Sequence, residues 1–148
     1  MAVQVRTPQD RDFFDWLGLY ADYGEVYDTP ITDEKALLVW SWITDPNSEA
    51  HAILATKDDG TLVGLAHYRE FLRPLSATRG LWVDDLFVTP SERGTGVGTA
   101  LIDAVRETAA ERQLSVVRLA AAENDETARK LYDDVATRTD WVTYDITV

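Results

Sequence analysis

Val88-Thr89-Pro90-Ser91-Glu92-Arg93-Gly94-Thr95-Gly96-Val97-Gly98-Thr99 joins a strand-like run, Leu81–Val88, to a helical one from about Gly96 to Gln113. Thr89-Pro90-Ser91-Glu92 ends the strand. The helical run carries Val97, Leu101, Val105 and Ala109 at i, i+4 spacing, with Asp103, Arg106, Glu107 and Glu111 on its wet side. A helix entered this way has backbone N–H groups without intrahelical partners at its mouth. Glycines let that backbone approach a ligand closely, and the helix dipole favours negative charge there. A pyrophosphate fits, and Arg93 supplies a local positive charge. Two nucleotide motifs are excluded. A P-loop needs a lysine after its last glycine, but Thr99-Ala100 follows Gly98. The dinucleotide pattern needs a third glycine where Thr99 or Leu101 stands.

Outward from this segment the chain reads as strands first, then alternating strand and helix. Val3–Arg6 is a short strand ending at Thr7-Pro8. Phe13, Phe14, Trp16, Leu17 and Tyr20 follow at helical spacing, and Tyr23 to Pro30 breaks that helix. Thr32 or Asp33 caps a second helix, whose run Ala36 to Ile43 looks mostly buried. Ala50–Thr56, the turn Asp58-Asp59-Gly60 and Leu62–Arg69 make a hairpin, with a polar connection around Arg73–Gly80 leading to Leu81. Ser115–Ala122 is a buried strand expected parallel to Leu81–Val88, since a helix separates them. Asn124 or Asp125 caps a helix to about Asp134, and Trp141–Val148 is a closing strand. This order predicts one α/β (α+β mixed) domain over residues 1–148: a central mixed, mostly antiparallel sheet with helices on both faces.

Composition narrows the function. The 148 residues, with five Trp and six Tyr, support a packed core. There is no cysteine, which excludes disulfides, Cys-ligated metals and an acyl-cysteine intermediate, and is compatible with a reducing cytoplasm. No basic n-region precedes an apolar h-region at Met1, and the longest uncharged apolar stretch, about Ala36–Thr44, is far short of a membrane span. A soluble, cytoplasmic protein without a membrane partner is expected. The net charge of −12 is the opposite of a nucleic-acid footprint and suits cationic ligands.

The pattern Arg93-x-x-Gly96-x-Gly98, with Val88 and Pro90 upstream, resembles the GCN5-related N-acetyltransferase family. There the segment grips the pyrophosphate of acetyl-CoA. A second likeness lies at Asn124-x-x-x-Ala128-x-x-Leu131-Tyr132. The resemblance implies the acyl-CoA N-acyltransferase fold and acetyl-CoA as co-substrate, held by Phe87, Val88, Arg93, Gly94, Thr95, Gly96, Val97, Gly98 and Thr99. It further implies that Asn124 hydrogen-bonds the pantetheine arm and that Tyr132 lies beside the CoA sulfur. The likeness runs from about Leu81 to Tyr132. It departs afterwards, because Trp141 follows the tyrosine by nine residues where the family often has Gly-Phe at four.

An amine can attack a thioester directly, and neither histidine, His51 or His67, suggests a nucleophilic triad. Direct transfer in a ternary complex follows, with the Val88 N–H as donor to the developing oxyanion. An alkylammonium near pKa 10.4 must lose a proton, at a cost of roughly 4.6 kcal/mol at neutral pH. Leu81–Val88 resembles the corresponding strand of spermidine/spermine N-acetyltransferases, which points to Asp84 as base through water, with Glu123 in reserve. Alternation sends Asp84 and Asp85 to opposite faces. Two adjacent acids without His or Cys support are a poor metal site, so no metal is expected. Tyr132 would donate a hydrogen bond to the leaving thiolate.

Tyr23, Glu25 and Tyr27, with Tyr68 near a strand end, combine aromatics and acids suited to a cationic amine. A small primary amine, polyamine- or amino-acid-like, is the expected acceptor. A protein N-terminus or lysine, and a non-catalytic CoA-binding module, stand as alternatives. The alternating Val142, Tyr144 and Ile146 suggest pairing across a subunit edge in a homodimer.

Overall fold

The computed structural model describes residues 3–148. Five strands form one sheet in the order β1 (Gln4–Arg6), β2 (Ala50–Thr56), β3 (Leu62–Arg73), β4 (Thr78–Val88) and β5 (Val117–Leu119). The first three pairings are antiparallel, and β4 with β5 is parallel. A 3-10 turn at Asp10–Asp12 leads into α1 (Phe13–Val26), followed by α2 (Asp33–Ile43), α3 (Val97–Glu111) and α4 (Glu126–Val135). The mixed sheet with helices on both faces matches the expectation.

Alternation along the central strands divides the core in two. Ile53, Ala55, Val63, Ala66, Leu81 and Val83 face Val97, Leu101, Val105 and Ala109 of α3. Ala52, Leu54, Leu65 and Phe87 face Trp16, Leu19 and Tyr20 of α1 and Ala36 and Ile43 of α2. At roughly 1.5–3 kcal/mol per fully buried large side chain, these two stripes supply the main drive for folding. Thr32 caps α2, its hydroxyl accepting from the Lys35 amide at 3.1 Å.

Several boundaries differ from expectation. Gly24 does not break α1; a Cβ there would strike the Thr29 carbonyl and Ile31, so glycine permits the chain to fold back against its own helix. β3 runs to Arg73 and β4 begins at Thr78, leaving a tight turn instead of a long polar connection. β5 is three residues long and only half-buried. α2 buries Ala36 and Ile43 but exposes Leu37, Leu38 and Trp42. The closing strand is absent: Trp141–Val148 pairs with no strand and its large apolar side chains are exposed. Alternation favours a strand only where an edge is within reach, and here none pairs with it. No helix among the described residues is long and apolar enough to cross a membrane.

Candidate active site

β4 carries the irregularity that shapes the site. His67 pairs with Asp85 but Tyr68 pairs with Val83, so Asp84 is an extra residue, a β-bulge. The pairing of β4 with β5 ends at Val83, immediately before it. Beyond the bulge the two parallel strands share no ladder, and a split opens. Thr89 N–H donates to the Val63 carbonyl at 2.8 Å, which makes Gly64–Val88 a non-hydrogen-bonded pair. The Val88 N–H therefore points away from β3, towards the split. Its carbonyl accepts from Arg93 Nε at 3.3 Å.

The glycine-rich segment closes this end of the site. Gly94 and Gly96 have φ of +79° and +94°, the left-handed region in which a side chain is strained. Gly96 is the N-cap of α3 and supplies no capping side chain. The first intrahelical bond is from Ala100 N–H to the Gly96 carbonyl, so the amides of Val97, Gly98 and Thr99 are left for an anion. The first turn carries no acid. Gly98 has a different reason: a Cβ there would lie 2.7 Å from Leu131 Cδ2, so it lets α4 pack close to α3. The Arg93 guanidinium lies 5.6 Å from the Phe87 ring.

On the α1 side of β4 a cavity of about 280 Å³ is lined by Tyr20, Tyr23, Gly24, Tyr27, Thr29, Ile31, Lys35 and Asp85. Tyr23 OH donates to Asp85 Oδ1 at 2.8 Å, and His67 Nδ1 lies 2.9 Å from Asp85 Oδ2. Trp16 Nε1 donates to His67 Nε2 at 3.1 Å. Burial works to raise the Asp85 carboxyl, but the hydrogen bonds from His67 and Tyr23 outweigh it and hold the group below the usual carboxylate range. Burial beside Asp85 pushes the Tyr23 hydroxyl far up, so it stays protonated. Tyr27 OH reaches across to Asp125, 3.2 Å, tying the end of α1 to the cap of α4. Asp125, not Asn124, is that cap, its carboxylate accepting from the Ala128 amide at 3.1 Å. Asn124 is exposed beside it. The half-buried Tyr132 hydroxyl is pushed up to about 12, chiefly by burial and then by Tyr27 and Asp125.

Three sequence expectations are corrected by these positions. Asp84 and Asp85 do not go to opposite faces, because the bulge interrupts alternation. Their carboxylates meet Arg69 and His67, which stand on one face of β3. Asp84 is not among the cavity's lining residues; Arg69 Nε bonds it at 3.0 and 3.2 Å. Burial still holds its carboxyl above the usual range. Tyr68 belongs to the core on the α3 face, because β3 continues past it and alternation turns it from the cavity. Glu25 is exposed and lines no part of the cavity, whereas Tyr23 and Tyr27 do. Trp16 and His67 were not among the site residues anticipated, and Asp85 entered only as the neighbour of Asp84 in the acidic pair. Their pairing links positions 51 and 18 residues apart, and only the register of β3 against β4 brings the last two together.

A helix mouth with free amides, approached through an arginine and two left-handed glycines and opening on a split parallel pair, is the architecture of an N-acyltransferase that uses acyl-CoA. A profile of the Acetyltransferase (GNAT) family matches residues 14–135, and the chain belongs to that family; it is an acetyl-CoA-dependent N-acetyltransferase. It is 29% identical over 143 residues to a D-amino-acid N-acetyltransferase of Saccharomyces cerevisiae, covering 96% of this chain and 89% of that one. It superposes with TM-score 0.85 on a ribosomal-protein-alanine N-acetyltransferase of Brucella melitensis biovar Abortus 2308, at 31% identity over 99% of this chain and 100% of the other. The fold is shared with the aminoglycoside acetyltransferase AAC(6')-Iy bound to a CoA bisubstrate analogue, TM-score 0.85 at 17% identity, covering 100% of this chain and 99% of that chain.

Proposed function

We propose that this enzyme acetylates a small cationic primary amine by direct attack on acetyl-CoA in a ternary complex. The observation that carries the reading is the split in the sheet, which sets the Val88 amide and the free amides of α3 on one side of β4's end and the tyrosine-lined cavity beside it. Val97, Gly98 and Thr99, with Arg93, Gly94, Thr95 and Gly96 shaping the turn, receive the diphosphate. Asn124 serves the pantetheine arm, and Phe87 packs beneath Arg93. The Val88 N–H receives the thioester oxygen as it gains charge, and Tyr132 donates to the sulfur as the C–S bond breaks. The amine forms the new C–N bond and gives up its proton. Asp84, whose carboxyl is raised by burial, takes that proton through water.

Acetyl-CoA-dependent thiol release with a panel of primary amines tests this reading. Turnover with amines, and none with anionic or hydroxyl acceptors of the same size, is the expected result. Thiol release with no amine, despite tight CoA uptake, would sink it. The enzyme is also read as cytoplasmic and dimeric, the exposed, alternating tail Trp141–Val148 being the segment offered to a second copy. Sedimentation of the full chain beside one shortened at Ala136 tests the dimer.

A further inference from the structure

Indole nitrogen is a donor only, so the Trp16 contact fixes His67 Nε2 as an unprotonated acceptor. The imidazole proton then sits on Nδ1 and is donated to Asp85. His67 is 5% exposed and Trp16 is fully buried, which locks this arrangement. Both oxygens of Asp85 thus accept from neutral donors, Nδ1–H and the Tyr23 hydroxyl. Arg69, two residues along β3 from His67, is engaged by Asp84. Among the described residues Asp85 forms no ion pair with an arginine or lysine, and it stands in the wall of a tyrosine-lined cavity. An incoming cation can supply that ionic partner.

We propose that Asp85 is the docking anion for the acceptor's ammonium group, and that Trp16 and His67 are positioning residues that keep it ionised and aimed into the cavity. The proposal rests on the acetyltransferase reading and names the substrate class of its acceptor site: a primary alkylammonium flanked by Tyr20, Tyr23 and Tyr27. Lys35 is the one cation among the lining residues, its ammonium donating to the Pro30 carbonyl at 3.1 Å. It disfavours a second positive charge, so the ligand is a monocation, with the rest of the molecule neutral or anionic. The groups that bear on Asp85 are His67 from β3, Tyr20, Tyr23 and Tyr27 from α1, Lys35 from α2 and Asp84 beside it. Trp16 occupies Nε2, the one ring nitrogen of His67 that is not already turned to Asp85.

The test is a titration of the enzyme with butylammonium chloride, followed by NMR from about pH 8 to about pH 5.5 at constant ionic strength. Wild type is expected to hold its affinity across this range, to bind 1-pentanol at least about tenfold more weakly, and to bind putrescine more weakly than butylammonium. Asp85→Asn should lose about tenfold or more in affinity at every pH. Trp16→Phe frees Nε2, so its affinity should match wild type at the alkaline end and fall several-fold towards the acid end. His67→Asn keeps an N–H for Asp85 without a titratable ring. It should show the flat profile, and the double variant Trp16→Phe/His67→Asn should recover it. Unchanged acetyl-CoA affinity shows that each variant is folded. A flat profile in Trp16→Phe, an acid-sensitive double variant, equal binding of pentanol, or preference for putrescine overturns the proposal. Loss of CoA uptake and thiol release in wild type would instead remove the acetyltransferase reading beneath it.

Discussion

Removing the hydroxyl of Tyr132 separates two roles a phenol can play at a leaving thiolate. A thiol titrates near 8.5 in water. Burial holds the Tyr132 hydroxyl at about 12. Complete transfer of its proton to the thiolate therefore runs uphill by about 3.5 units, roughly 5 kcal/mol. Such a group cannot be the final source of the thiol proton at useful rates. It can still donate a hydrogen bond to sulfur as charge grows, and a bond to a charged acceptor contributes about 1.5–3 kcal/mol. Tyr132→Phe should thus lower kcat by about 10- to 150-fold, with little change in acetyl-CoA affinity. The kcat–pH profiles of wild type and variant should be parallel from about pH 6 to 10, since a hydroxyl held so high stays protonated throughout. Stopped assays of CoA thiol under saturating amine measure both quantities. An unchanged kcat, or a basic limb in wild type that vanishes in the variant, would refute the reasoning.

Other outcomes follow from the same geometry. Gly96→Val places a β-branched residue at φ +94° on the mouth of α3, and should weaken acetyl-CoA binding by calorimetry without changing the fold elsewhere. Asp84→Asn should lower kcat while leaving the amine KM within about twofold, because its carboxylate lies outside the cavity. Gly64→Ala puts a Cβ 3.0 Å from Val97 and 3.1 Å from Leu101, and should lower the melting temperature by several degrees through overpacking of the α3 core. Asp12 is held below its ordinary value chiefly by the hydrogen bond from Arg6, with a second from the Gln9 amide. Its contribution is present above the unfolded value near 3.9 and is lost as pH falls through the lower folded one. Thermal melts of Asp12→Asn should therefore fall less steeply with acid than those of wild type.

The fold was legible where one local signal sufficed. The glycine segment, the period of α3, the Asp58-Asp59-Gly60 turn and the Thr32 cap each carry their own physics within a few residues. The CoA side of the site lies in such a stretch. The acceptor side does not. Tyr68 looked available because β3 was expected to stop at Arg69. Four more paired residues put it mid-strand, and parity alone turned it into the α3 core. Trp16 is one of several apolar residues at helical spacing and His67 one of two histidines with no triad about it, and nothing local joins an indole in α1 to an imidazole on β3. The tail Trp141–Val148 has strand alternation without strand pairing, and a pattern of side chains does not supply a neighbour.

One insertion accounts for much of what local reading could not reach. Val83 faces α3, so strict alternation would send Asp85 and Phe87 there too, a carboxylate into an apolar core. The extra residue at Asp84 shifts the parity. Phe87 then packs with α1, and Asp85 meets His67 and Tyr23. The same bulge stands where β5 lets go of β4, after which Val88 N–H is turned to the split with no strand to bind it. Two consecutive aspartates inside an otherwise apolar run were the signal for it, since no unbulged strand in this sheet could place both. Deleting Asp84 is thus a sharper test than replacing it. The deletion lets Asp85 follow Val83 directly, so plain alternation keeps Asp85 and Phe87 on the α1 face while the bulge is lost. β4 should then stay paired with β5 past Val83, closing the split and removing acetyl-CoA-dependent turnover. A deleted protein that folds and keeps wild-type turnover would mean that the bulge is incidental to the site.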